Sequence, residues 1–178
     1  MTASGEQWKD EAVSVVDYDP AWPGLFAAEA ALLEAAIGQW ITGGIHHVGS
    51  TAVPGLAAKP VIDILVGVDG LDVSRTCIDR VAPLHYVYAP YRTEEMHWFC
   101  KPSPSHRTHH LHIVPTGSQR FADELAFRDY LRAHDDRARA YAAVKQELAR
   151  RHRHDREAYT EEKGAFVLET LVLAGRRP

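Results

Sequence analysis

The period of the apolar positions changes along the chain. Residues 23–40, PGLFAAEAALLEAAIGQW, repeat at helical spacing, with Pro23 near the start and Thr42-Gly43-Gly44 as the expected stop. Ile45 to Val48 then predicts a short strand, and Gly49-Ser50-Thr51 a turn. Val61 to Val68 is a nearly continuous β-branched run, which predicts a strand covered on both faces. Leu71 to Ala82 predicts a helix. Tyr86–Tyr91, His97–Lys101 and Thr108–Val114 predict three shorter strands, with Pro102 to Ser105 as a loop. Before all of these, VSVVDYDPAW predicts an extended segment ending at Pro20.

From Ser118 onward the pattern is helical. Phe121, Leu125, Phe127, Tyr130 and Leu131 fit one face of a first helix. Ala138, Tyr141, Ala142, Lys145 and Leu148 fit a second, with Asp135-Asp136 at its start, and Tyr159 to Ala174 makes a third. A mixed front half followed by an all-helical back half predicts an α+β domain with a helical extension, not an alternating parallel α/β fold.

Strand alternation assigns faces. On 61–68, Asp63 and Leu65 share one face, and Ile62, Ile64, Val66 and Val68 the other. On 107–114, Thr108, His110 and His112 share a face, opposite His109, Leu111 and Ile113. If these strands are neighbours, Asp63, His110 and His112 converge at a cleft. One carboxylate with two imidazoles suits Zn²⁺, Mn²⁺, Ni²⁺ or Fe²⁺ better than Mg²⁺, which prefers oxygen ligands. The alternatives are hydrogen-bonded histidines on a half-buried strand, or histidines that bind a phosphate directly. His46, His47 and His97 are further candidates for ligands or a general base.

The Gly-Ser loop offers a second kind of chemistry. Gly49 permits a close backbone approach, and Ser50 and Thr51 bring hydroxyls and N–H groups suited to phosphate oxygens. Lys59 precedes Pro60 at the mouth of the next strand, a natural place for an anion contact. In the helical half, Tyr141 and Lys145 are four apart, as are Tyr159 and Lys163, so each pair shares a helix face. With Arg107 and Arg128 they are candidate contacts for a phosphate or carboxylate. Lysine stems lying over aromatic rings at the surface would give the same spacing.

Composition narrows the classes. The 178 residues, 46% hydrophobic and 25% charged, suit one globular domain. No apolar run approaches a membrane span, and the opening MTASGEQWKDEAVSVV has no signal-peptide pattern. Two distant cysteines predict no disulfide framework, and a reducing cytoplasm is expected. The net charge of −4 argues against nucleic acid as the main partner. It hides an asymmetry: residues 1–100 hold 5 Lys/Arg against 13 Asp/Glu, and residues 101–178 hold 15 against 11. There are 11 histidines, eight of them between His46 and His112.

The chain resembles the GrpB family, whose fold resembles that of the nucleotidyltransferase superfamily. The segments that carry the resemblance are VVDYDPAWPGLFAAE (15–29), HVGSTAVPGLAAKPVIDILV (47–66), RTHHLHIV (107–114), FRDYLRAH (127–134), AYAAVKQELA (140–149) and AYTEEKGAF (158–166). The resemblance implies a nucleotidyltransferase-like mixed β-sheet with helices on one face, over about residues 1–116. A C-terminal helical extension follows over about 117–178, within a single domain. It also implies a metal-assisted enzyme binding a small anionic substrate for group transfer, the substrate phosphorylated, carboxylated or a nucleotide.

Two departures bear on mechanism. Superfamily members follow Gly-Ser with a strand reading Asp-x-Asp; here Asp63 fits, but the second acid falls on Leu65. The third acid has no carboxylate equivalent, and His110 and His112 lie in its neighbourhood. Within the family, His46 stands where an acid is expected and His97 where an arginine-type residue is expected. Two alternatives therefore stand beside the first reading: a single-metal enzyme of specialised metabolism acting on a non-nucleotide substrate, and a non-catalytic ligand-binding module.

Overall fold

The structure, a computed structural model, describes residues 11–176. The opening ten residues, to which the sequence assigns no element, lie outside them. Five strands, β1 (Ile41–Val48), β2 (Ile62–Val68), β3 (Val87–Tyr88), β4 (His97–Pro102) and β5 (Arg107–Pro115), form one sheet in the order β1-β2-β5-β4-β3. β2 and β5 run parallel and the other pairs antiparallel, so the sheet is mixed. β2 and β5 are neighbours, as the convergence of Asp63 with the histidines requires. Asp63 is in register with His110, and Leu65 with His112.

The face bearing Ile62, Ile64, Val66, Val68, Leu111 and Ile113 is the main core. It is covered by α1 (Trp22–Ile37) through Leu33 and Ile37, and by α2 (Cys77–Val81) through Cys77 and Val81. Asp19 Oδ1 accepts the Ala21 N–H at 2.8 Å just before α1, and Pro23 sits in its first turn, where a missing N–H costs nothing. The helix ends three residues earlier than its apolar spacing suggests. Thr42-Gly43-Gly44 is not the stop but part of β1: the pairing with β2 shifts between Ile41 and Gly44, a bulge with Gly44 at φ 81°. A side chain at Gly43 would collide with Gly67 and Thr116, so the two strands approach too closely there for any other residue.

Two other expected elements are shorter. Leu71–Ala82 is mostly turns, with α2 as its only α-helical part, and Tyr86–Tyr91 is strand only at Val87–Tyr88. The extended segment near residue 16 makes a single bridge, Val16 to Ala58.

The helices of the back half are α3 (Gln119–Ala133), α4 (Asp135–Arg151) and α5 (Arg156–Leu173). Ser118 caps α3 by accepting the Phe121 N–H at 3.2 Å, and Asp155 caps α5 by accepting the Ala158 N–H at 2.9 Å. Asp135 and Asp136 open α4, on the side where the helix dipole favours them. Helices are not confined to one face of the sheet. α3 folds onto the opposite face and buries Leu65 with Val48, Met96, Val114 and Phe121. The remainder of that face, around Asp63 and His110, stays open towards α4 and α5.

Candidate functional site

A cleft of about 850 Å³ lies between the uncovered part of the sheet and α5. Ser50, Thr51, Lys59, Asp63, Trp98, Arg107, His110 and His112 line it from the sheet and its loops. Lys145, Arg156, Tyr159, Thr160 and Lys163 line it from the helices, and Tyr91 and Arg92 form part of the wall. Its lining holds six lysines and arginines (Lys59, Arg92, Arg107, Lys145, Arg156, Lys163) against three carboxylates (Asp63, Glu157, Glu161). The cleft is therefore electropositive in a chain whose net charge is −4.

Asp63 is the acid at its centre, with 28% of its side chain exposed. Val48 pairs with Asp63 across the sheet, so the chain turns at Gly49 against the Asp63 carboxylate. Gly49 has φ 71° and ψ −171°, and a Cβ there would strike that carboxylate. This is why the loop needs glycine. Burial would raise the Asp63 pKa, but the hydrogen bond from His110 and the nearby His112 and Lys163 charges outweigh it and bring it down to about 2.

His110 donates Nδ1–H to Asp63 Oδ1 at 2.9 Å. Burial keeps its pKa below the usual imidazole value despite the carboxylate, so the ring is neutral. Its Nε2 is buried without a hydrogen-bond partner, and Trp98 lies against the ring at 5.2 Å. His112 has the opposite character. It donates Nδ1–H to Glu124 of α3 at 3.0 Å; burial would lower its pKa, but the Glu124 charge and hydrogen bond raise it. Glu124 also accepts from Arg120 at 3.1 Å, and Arg120 pairs with Glu95 at 2.7 Å.

These pairings decide how well the trio fits a metal. Asp63 Oδ1 is turned to His110 Nδ1, while the lone pair left on that ring, at Nε2, points away from Asp63. His112 Nδ1 is engaged by Glu124, which raises its pKa. Among the described residues no group of three or more His, Cys, Asp or Glu is arranged to hold a metal ion. The structure thus brings Asp63 and His110 together as a carboxylate–imidazole pair and assigns His112 to a second pair.

The other histidines lie apart. His47 is on the core face, stacked on Phe26, and donates Nε2–H to Thr51 Oγ1 at 2.9 Å; burial brings its pKa down to about 4. His97 is also on the core face and donates Nε2–H to the Leu71 carbonyl at 3.0 Å. His46 donates Nε2–H to the Gly43 carbonyl at 2.7 Å and lies edge-on to Phe121, under α3.

The anion candidates divide similarly. The Thr51 hydroxyl is committed to His47 and the Val61 carbonyl, although both Ser50 and Thr51 line the cleft. Arg128 donates to the His47 carbonyl at 3.1 Å and to Asp129, outside the cleft lining. Tyr141 is buried between α4 and α5, stacked on Phe166 at 4.9 Å. The lysines remain. Lys59 and Lys163 lie 5.1 and 5.5 Å from the centre of the same ring, Tyr159, and Lys145 lies 4.6 Å from that of Tyr141. Lys145 is buried and donates to the Ala57 carbonyl. Burial first, then the neighbouring Lys163 charge, brings Lys145 down to about 7 and Lys59 to about 8.

Sequence reasoning missed Trp98, Tyr91, Arg92, Arg156 and Thr160 in the lining, and Glu124 behind it. Strand alternation gives Trp98, which is in register with His112. Helical spacing from Lys163 and Gly164 gives Arg156 and Thr160. Nothing in the sequence ties Glu124 to His112.

Comparison with known proteins gives concordant matches. The family model described as GrpB protein matches residues 12–172. A UPF0157 protein of Pseudomonas aeruginosa is 46% identical, over 98% of this chain and 75% of its own. The glutamate-rich protein GrpB of Alkalihalophilus pseudofirmus is 35% identical, over 89% and 94%. The crystal structure of conserved protein GrpB from Enterococcus faecalis superposes with a TM-score of 0.83 at 32% identity, covering 90% of this chain and 96% of that one. The GLD-2/RNP-8 complex structure matches at TM-score 0.58 and 15% identity, over 86% of this chain and 51% of that one, a likeness of fold alone. No helix among the described residues is long and apolar enough to cross a membrane.

Proposed function

The chain belongs to the GrpB family and has a nucleotidyltransferase-like fold, and from that premise we propose that its cleft binds a small anionic substrate for group transfer. The observation that carries this reading is the gathering of Lys59, Lys145 and Lys163 opposite Asp63 in an otherwise acidic chain. Ammonium groups on flexible stems suit the several oxygens of a phosphate or diphosphate. Asp63, ionised at neutral pH, is suited to accept a hydrogen bond from the hydroxyl or amine that receives the transferred group. With a pKa of about 2 it orients that group better than it removes its proton.

A binding module without turnover is the second reading. It is favoured by Leu65, which fills the superfamily's second acid position with sealed core. A calorimetric screen of pyrophosphate, nucleotides and small carboxylates finds the ligand class, and isotope-labelled turnover separates the two readings. Binding unaltered in Lys59→Gln and Lys163→Gln would refute the site.

A further inference from the structure

We propose that the cleft holds its anionic ligand with side-chain cations alone, Lys59, Lys145 and Lys163 standing where a divalent metal would otherwise neutralise the charge. This rests on the anion-binding reading above and adds how the charge is met. In metal-assisted phosphoryl transfer, carboxylates on the sheet hold the ions that bridge phosphate oxygens. Here the corresponding sheet positions are turned to other partners or filled by core. Asp63 is turned to His110 at 2.9 Å, and Leu65 is packed beneath α3. His112 is hydrogen-bonded to Glu124, whose other partner is Arg120.

The compensating charge comes from across the cleft. Lys59 precedes β2 and Lys163 lies on α5, yet both approach the ring of Tyr159. Two like charges brought to one ring repel each other, and an anion between them relieves the repulsion. Lys145 adds a third charge from α4. Its hydrogen-bond partner is a backbone carbonyl, not a carboxylate. Glu157 and Glu161 also line the cleft, so the lysines outnumber the carboxylates of α5 there. The depressed basicity of Lys59 and Lys145 is what such a cluster shows before its anion arrives.

The test is calorimetric titration of the full chain with pyrophosphate, in EDTA and then in MgCl₂ or ZnCl₂. The expected result is binding in EDTA within about twofold of that with either metal, weakened about tenfold or more in Lys59→Gln and in Lys163→Gln. Asp63→Asn is expected to keep or tighten binding, because it removes a repelling carboxylate; loss of a metal ligand would abolish it. Unchanged melting temperatures exclude misfolding of the variants. Binding that appears only with added metal would overturn this inference while leaving the anion site standing. No binding under any condition would overturn both.

Discussion

At the scale of single residues, burial and neighbouring charge shift Lys145 and Lys59 in the same direction. Their pKa values fall from 10.5 to about 7 and about 8, so the folded chain holds fewer protons here than the unfolded one. These two groups therefore cost stability at low pH, and stability gained from them rises as pH climbs from about 7 towards 10.5. An anion reverses the preference by favouring the charged forms. Pyrophosphate affinity is expected to fall as pH rises through the two values, with net proton uptake on binding near pH 8, read by calorimetry in buffers of different ionisation enthalpy. Gly49 makes a second prediction. Its backbone lies in a region open essentially to glycine, and a Cβ there meets the Asp63 carboxylate. Gly49→Ala is expected to lower unfolding stability by about 1–3 kcal/mol or more, measured by denaturant midpoint, and to weaken anion binding.

At the scale of elements, the pairing of β2 with β5 and the packing of α3 determine which residues meet. Glu124→Gln is expected to release His112 and move its pKa below the wild-type value, followed by NMR titration of the ring. Leu65→Asp, which restores the superfamily acid by sequence, is expected to destabilise the fold by several kcal/mol, because the carboxylate would be buried among Val48, Met96, Val114 and Phe121. Much of this level was legible in the chain. Alternation on 61–68 and 107–114 placed Asp63 and His110 together, since period-two order survives any tertiary arrangement. It also placed His112 in the same cleft lining, but not its partner Glu124, which comes from a helix docked on that face. Nor did it show Leu65 as sealed core. Gly43-Gly44 was misread because a helix stop and a bulge use the same residues; only the approach of Gly67 distinguishes them.

At the scale of the molecule, the cleft exists because a mixed sheet left open beside α3 is faced by α5, with α4 behind it. The helical spacing of Tyr159 with Lys163 and of Tyr141 with Lys145 was visible in sequence. Their separation into one cleft-lining ring and one buried ring was not, since it depends on how α4 and α5 pack. The overall charge of −4 concealed the positive interior in the same way. An anion bridging Lys59 before β2, Lys145 on α4 and Lys163 on α5 ties the two halves together. Pyrophosphate is accordingly expected to raise the melting temperature and to slow amide exchange in α5. The most direct measurement is a crystal structure of the full chain grown with pyrophosphate in EDTA. The account predicts the anion within hydrogen-bond reach of the Lys59, Lys145 and Lys163 ammonium groups, with Asp63 still bonded to His110. An anion bound elsewhere, or a cleft left empty at saturating pyrophosphate, would contradict it.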